Sequence, residues 1–337
     1  MAASPSRRQT VQTRVLIGAG ALVIALLAFA ALQFFRTPGP PIPDDMPDVD
    51  RPVFRAQNAL DLARAQVEFG PRIPGTPAHD STRMWIAERL RRSGARVAEL
   101  PVTVTHGGET LQGTNLFASF DTTATRRILL AAHWDTRPVA DNDPDPARRS
   151  EPVPGANDGA SGVAVLLEMA RLFGEHPPPV GIDLVFFDLE DAGETGFESD
   201  STKLPYALGS AAFVQQNPRY RPAYGVLLDM VGDRDLRLPK EGYSAQAAPD
   251  IVERVWEAAR RVGADAFVDE VGGAVFDDHI PFLQRGIPVI DVIQTPFPDT
   301  WHTTADTMDR LDAVSLGQVG RTLVELIYGM EAQMASR

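Results

Sequence analysis

Four short, almost wholly apolar runs recur between residues 127 and 293. They are Arg127–His133 (R-I-L-L-A-A-H), Ile182–Phe187 (I-D-L-V-F-F), Tyr224–Gly232 (Y-G-V-L-L-D-M-V-G) and Gly286–Ile293 (G-I-P-V-I-D-V-I). Runs of this length without polar alternation predict strands buried on both faces, which is the pattern of parallel sheets. Helical stretches separate them: one following Gly155–Gly162 and running through Phe173, then Tyr206–Gln216, Ala248–Val262 and a long closing helix Leu311–Met334. The alternation predicts an α/β fold with a mixed, mostly parallel central sheet sandwiched by helices. Upstream, Arg55–Phe69 and Ser81–Ser93 have helical periodicity, and Gly94 suits a C-terminal cap. Arg96–Thr105 and Gly113–Phe120 read as a hairpin or edge pair. Pro71–Pro77, Asp141–Pro154 and Ala192–Pro205 read as loops, and no internal repeat is evident.

The second run has an abrupt end. It continues D-L-E-D, placing Asp188, Glu190 and Asp191 just past the strand. Ligands of open α/β sheets bind outside the carboxyl ends of the strands. Glu190 and Asp191 are neighbours, so in extended chain their side chains point apart: one can hold a metal while the other faces a substrate. Acids that merely open a solvated loop are the bland alternative. Other strand ends carry similar groups. His133 and Asp135 close the first run, and Asp229 sits inside the apolar run of the third, where an unpaired acid is costly. Asp158 falls at a helix start in a glycine-rich segment, as an N-cap or as a metal ligand. Asp277-Asp278-His279 precedes a short helix, and Trp301-His302 follows Pro296-Phe297-Pro298.

Composition narrows the chemistry. The chain lacks cysteine, so thiolate metal sites and disulfides are excluded, and any metal must be held by His, Asp and Glu. Borderline zinc accepts such a set, and a catalytic site leaves one position open. No H-E-x-x-H helix is present. The net charge of −13 and pI of about 4.9 argue against nucleic acid as a partner, because phosphates need clustered Lys and Arg.

The N-terminus is set apart. Arg7, Arg8 and Arg14 precede an uncharged stretch from Val15 to Phe35, whose 21 residues would span a hydrocarbon core of about 30 Å. The basic flank predicts residues 1–14 in the cytoplasm and the bulk outside it. Ala28-Phe29-Ala30 offers a passable signal-peptidase site, but the run continues to Phe35, which favours an uncleaved single-pass anchor over residues 15–35. A proline-rich linker over 36–50 then holds a catalytic domain of 51–337 off the membrane, in the periplasm or a lumen, or secreted if the segment is cleaved.

The collected motifs resemble the zinc aminopeptidase family M28: His133-x-Asp135, Asn157-Asp158-Gly159-Ala160-Ser161-Gly162, the Glu190-Asp191 pair, Asp229 and the late His302. Three segments are similar to animal-type glutaminyl-peptide cyclotransferases within it. These are Leu227–Gly232, Asp277–Leu283 and Pro296-Phe297-Pro298 leading to Trp301-His302-Thr303. The resemblance spans roughly residues 55–330. It implies one Zn2+ held by Asp158, Asp191 and His302, with Glu190 as general acid/base. It further implies that Asp229 and Asp277 form a supporting hydrogen-bond network and that Trp301 lines the substrate pocket. Asp191 stands where the animal enzymes carry Glu, and Asp291 where they carry His. Tyr206 or Phe197 is the candidate for a second pocket aromatic.

The implied reaction converts an N-terminal Gln of a peptide or protein to pyroglutamate with release of ammonia. Its main rival is a dinuclear zinc aminopeptidase. For that site His133, Asp158, Asp191, Asp229 and His302 are all present, with Asp158 bridging two Zn2+ and His133 serving the second. A non-catalytic ectodomain on the same scaffold is the third reading, and the intact acid set weighs against it. Among other residues, Trp134 and Trp256 read as packing, and His106 and His176 as solvated. Lys203, Arg148 and Arg149 read as surface, and His279 either joins the network or caps the short helix.

Overall fold

The computed structural model describes residues 51–196 and 200–332. The expected anchor at 15–35, the linker at 36–50 and Phe197 lie outside the described residues. Among the described residues no helix is long and apolar enough to cross a membrane.

The chain begins with helices α1 (Ala56–Val67) and α2 (Pro77–Arg92). The second starts four residues earlier than Ser81: Thr76 caps it, accepting from His79 N at 3.3 Å, and Pro77 takes the first turn, where its missing N–H is no loss. Strands β1 (Arg96–His106) and β2 (Glu109–Phe120) form the expected hairpin, in full register. Its turn is Gly107-Gly108, both with positive φ (58° and 86°), the geometry that tight hairpins require. Then come β3 (Arg127–His133), α3 (Ala160–Glu175), β4 (Gly181–Phe187), α4 (Leu208–Gln216) and β5 (Tyr224–Asp229). Next are β6 (Leu238–Lys240), α5 (Gly242–Ala247), α6 (Pro249–Arg261), β7 (Phe267–Val271), α7 (Ile280–Leu283) and β8 (Val289–Ile293). Helix α8 (Ala313–Val324) passes into a π-helical stretch, Glu325–Glu331.

The main sheet has the order β1-β2-β4-β3-β5-β8. The four apolar strands β4, β3, β5 and β8 are mutually parallel; the β1–β2 hairpin adds antiparallel at β4, with β1 on the edge and Pro101 at its middle. Every residue of β4 and β8 is buried, which explains why their sequences lack alternation. One large cluster, including Ile128, Leu130, Leu184, Val226 and Ile290 of the sheet and Val163, Leu166 and Leu323 of the helices, forms the core on one face. A second, with Leu129, Val185, Phe213, Leu227 and Phe282, covers the other.

Besides the start of α2, two boundaries and one strand pair differ from expectation. Helix α4 begins at Leu208, because Ala207 is left-handed (φ 58°). Strand β5 stops at Asp229, because Met230 turns left-handed (φ 48°); Asp229 therefore ends the strand rather than lying within it. The pair β6–β7 was not anticipated: β6 has three residues and the second half of β7 is exposed, so neither carries an apolar pattern.

The parallel register brings His133 level with Phe187, and Asp229 level with Ile293. The strand ends that carry polar residues thus converge on one rim of the sheet.

Candidate metal centre

The rim is built by backbone hydrogen bonds to buried carboxylates. Asp135, two residues past the end of β3, accepts from Glu190 N (3.2 Å) and Asp191 N (3.1 Å), which fixes the segment after β4 against the segment after β3. Asp188 takes another direction. Its carboxylate accepts from Thr114 N at 2.6 Å and lies 3.0 Å from His79 Nε2, whose ring stacks on Trp134 at 4.2 Å. Of the three acids closing the β4 run, Asp188 is a buried brace, whereas Glu190 and Asp191 reach the rim. Leu189 between them is left-handed (φ 58°), a conformation disfavoured for a branched residue and tolerated where packing over-determines it.

Asp158 is not the helix cap. The N-cap of α3 is Gly159, at φ 90°; a Cβ there would come within 2.7 Å of Asp135 O. Asp158 precedes it, with its own N–H and that of Asn157 held by Asp306 at 3.0 and 2.8 Å. Fully buried Arg72 donates from behind to Gly155 O (2.5 Å), Pro154 O (2.8 Å) and Asp158 O (3.4 Å). The Asp158 carboxylate is thereby aimed into the rim.

There it lies between two imidazoles. Asp158 Oδ1 is 3.0 Å from His133 Nε2, and Oδ2 is 3.7 Å from His302 Nε2. His302 Nε2 is also 3.2 Å from Asp191 Oδ1, and His133 Nε2 is 3.2 Å from Asp229 Oδ1. His133, Asp158 and Asp191 each offer a donor atom within 4.8 Å of the others. Both carboxylate oxygens of Asp191 are buried with no hydrogen-bond partner, which native structures avoid unless something absent satisfies them. Expected ligands Asp158, Asp191 and His302 therefore do converge, and His133 with Asp229 joins them on the far side of Asp158.

Electrostatics follow from packing these acids together. Burial, and then Asp191, pushes Glu190 well above the usual carboxylate range; its Oε2 stands 4.0 Å from His133 Nδ1. Burial also raises Asp158 and Asp229. Burial would raise Asp191 too, but His302 and Arg137 outweigh it and hold the group at about 2. His133 is raised well above its ordinary value: burial works against this, and Asp135, Asp158 and Asp229 prevail.

The rim opens into a cavity of about 240 Å3. Glu190, Asp229 and Asp277 provide its polar wall, and Trp301, Phe297, Phe276 and Ile293 its apolar wall. Trp301 stacks on His302 at 3.9 Å and leans on Phe297 at 4.4 Å. Tyr206 lines the same cavity. Below it, Asp277, His279 and Asp291 form a second buried group. His279 occupies the N-cap position of α7, but its side chain makes no capping bond; its Nε2 lies 3.2 Å from Glu241 Oε2.

Sequence reasoning missed His79, Arg72, Arg137, Asp141 and Asp306. Arg72 and His79 have no local signature, since their partners lie far along the chain, as with Arg72 and Trp134 (62) or His79 and Asp188 (109); Arg137 and Asp141 pair at a spacing of four, which exposed ion pairs share and which therefore marks nothing.

With this geometry in place, comparison with known proteins defines the class. Residues 115–327 match Peptidase family M28, and the chain belongs to that family. More particularly, it is 27% identical over 284 residues to the glutaminyl-peptide cyclotransferase of Bos taurus, covering 75% of this chain and 76% of that protein. A glutaminyl cyclase from Bacteroides thetaiotaomicron, solved bound to N-acetylhistamine, is 40% identical with a TM-score of 0.79, covering 83% of this chain and 99% of that one. A Zn-dependent exopeptidase from Parabacteroides distasonis is 42% identical, also at TM-score 0.79, covering 82% and 99%. The residues present fit zinc: imidazole and carboxylate donors, no thiolate, and buried Asp191 oxygens left without partners.

Proposed function

We propose that the protein is a zinc-dependent glutaminyl-peptide cyclotransferase, acting on peptides or proteins that begin with Gln. The observation that carries this reading is the small cavity lined by Trp301 and the largely enclosed Glu190 carboxyl, beside the Asp158–Asp191–His302 group. Its volume suits one side chain, so recognition rests on the terminal residue. The named likeness to glutaminyl cyclases of two very different sources supports it.

In the reaction the α-amine nitrogen attacks Cδ of the same residue's side-chain amide. The ring C–N bond forms, the old one breaks, and ammonia leaves. Asp158, Asp191 and His302 would hold a zinc, which would supply Lewis acidity toward the amide oxygen. Glu190 accepts the proton shed by the attacking amine and returns it to the departing nitrogen. A carboxyl raised by burial is suited to both halves of that transfer. Asp229 and Asp277 present acceptors to the substrate's amino end, and Trp301 packs against its aliphatic part. No attacking water is required.

A dinuclear aminopeptidase is the second reading, and one observation favours it: Asp158 turns one oxygen to His133 and the other to His302, as a bridging carboxylate would. The likeness to the Parabacteroides distasonis exopeptidase points the same way. Incubating the protein with a Gln-initiated peptide and, separately, an aminoacyl chromogenic amide discriminates, with metal counting alongside. Ammonia release without amide hydrolysis, at one zinc per chain, supports the cyclase; hydrolysis at two zincs per chain replaces it with the peptidase. Absence of both activities and of bound zinc would leave the non-catalytic ectodomain.

We also propose that residues 15–35 anchor the catalytic domain outside the cytoplasm. Co-sedimentation of the full chain with membranes, lost on deleting residues 1–36, is the expected result.

A further inference from the structure

Behind the ligand side chains lies a layer that the reaction above does not use. His302 Nδ1 is buried without a hydrogen-bond partner, and the group it faces is Asp141 Oδ1, 3.7 Å away. Asp141 is itself gripped in a fork: Arg137 Nε donates to Oδ1 at 2.7 Å and Nη2 to Oδ2 at 2.6 Å. Thr195 Oγ1 adds a third bond to Oδ2 at 3.1 Å. The remaining guanidinium nitrogen turns toward the other ligand. Arg137 Nη1 donates to Gly193 O (2.9 Å) and Asp191 O (3.3 Å), and stands 3.7 Å from Asp191 Oδ1. Its Cζ lies over the Tyr206 ring, 5.3 Å from the centroid. The arginine is 2% exposed. The backbone joins in, with Asn142 N donating to His302 O at 3.1 Å.

We propose that Arg137 and Asp141 are positioning residues of the metal centre. Asp141 takes the Nδ1–H of His302, which leaves the Nε2 lone pair for a cation shared with Asp158 and Asp191. Arg137 ties that carboxylate to the backbone carrying Asp191, so one ion pair sets two ligands that lie 111 positions apart (191 and 302). A ligating histidine whose far nitrogen meets a carboxylate is fixed in tautomer and orientation and is the stronger donor. Closing the gap from 3.7 Å to about 2.9 Å moves the ring by about 0.8 Å. Arginine suits the task better than lysine, because only its fork can hold both Asp141 oxygens and still spare a donor for the Asp191 loop.

The inference rests on Asp191 and His302 being ligands, and the experiment separates the two. Zinc affinity of the full chain is measured by competition with a chromogenic chelator, for the unaltered protein, Asp141→Asn, Arg137→Lys and Arg148→Ala. The last breaks an exposed ion pair with Glu151 in the same loop and serves as the control. Asp141→Asn should bind zinc roughly 10- to 100-fold more weakly, Arg137→Lys should fall in between, and Arg148→Ala should match the unaltered protein. In the cobalt-loaded proteins the visible absorption should shift for Asp141→Asn alone or with Arg137→Lys, which a mere loop-anchoring role would not produce. Equal zinc affinity and an unshifted cobalt spectrum in both Asp141→Asn and Arg137→Lys overturn the proposal. If the unaltered protein binds no zinc, the metal-centre reading falls, and this one with it.

Discussion

Glu190 sits in surroundings ill-matched to its charge. It lies beside Asp191, 4.0 Å from His133, and faces a cavity walled in part by Tyr206, Phe276, Phe297 and Trp301. Glu190→Gln keeps the shape and removes the proposed proton transfer. The variant should retain its zinc, by metal counting, and lose turnover by about 10² or more. Trp301→Ala should act differently. It strips a wall from the cavity and a stacked ring from His302, so substrate affinity should fall by roughly tenfold, consistent with about 1.5 kcal/mol of aromatic contact; initial rates across Gln-peptide concentrations measure it. Glu190 stood out in the sequence because it closes an apolar strand, and Trp301 through the family resemblance; both line the cavity. Arg72, Arg137 and Asp306 were not legible, because each earns its place by gripping backbone far along the chain.

Elements were legible where burial imposes one pattern on every residue. Strands β3, β4, β5 and β8 and the hairpin declared themselves, whereas β6 and β7 did not, and the start of α2 was hidden because Pro77 looked like loop punctuation. What the pattern could not give was distance between layers. Helix α3 lies so close to the sheet that a Cβ on Gly162 would sit 2.5 Å from Leu228 O and 3.0 Å from Ala132 Cβ. The backbone oxygen cannot rotate away, so Gly162→Ala should push α3 off β5 and carry Asp158 with it. The expected cost is about 1–3 kcal/mol, read as a lower midpoint in thermal unfolding, with weakened zinc binding beside it.

At the scale of the whole molecule, stability should depend on both metal and pH. The candidate ligands come from the α3 entry, the end of β4 and the loop before α8, so a bound ion would add a cross-link to segments already joined by hydrogen bonds such as those of Asp306 to Asn157 and Asp158. A strong chelator should lower the unfolding midpoint by several degrees, since saturation at 100 times the dissociation constant is worth about 2.7 kcal/mol. Glu241 supplies the pH test. Burial would raise its carboxyl, but His279 and the amides of Tyr243, Ser244 and Val275 hold it at about 2, against an ordinary 4.5. A depressed acid stabilises the fold above its unfolded value and loses that contribution as pH falls from 4.5 toward 2. Glu241→Gln should therefore cost about 1–3 kcal/mol at pH 7 and visibly less at pH 3, by urea unfolding. The outer side of β1 has no partner strand among the described residues. Pro101 denies any incoming peptide one of the amide donors it would need to dock there. Pro101→Val would restore that donor on a β-favouring side chain, and the protein should become sticky to itself, detected as growing light scattering on storage at unchanged catalytic rate per soluble molecule.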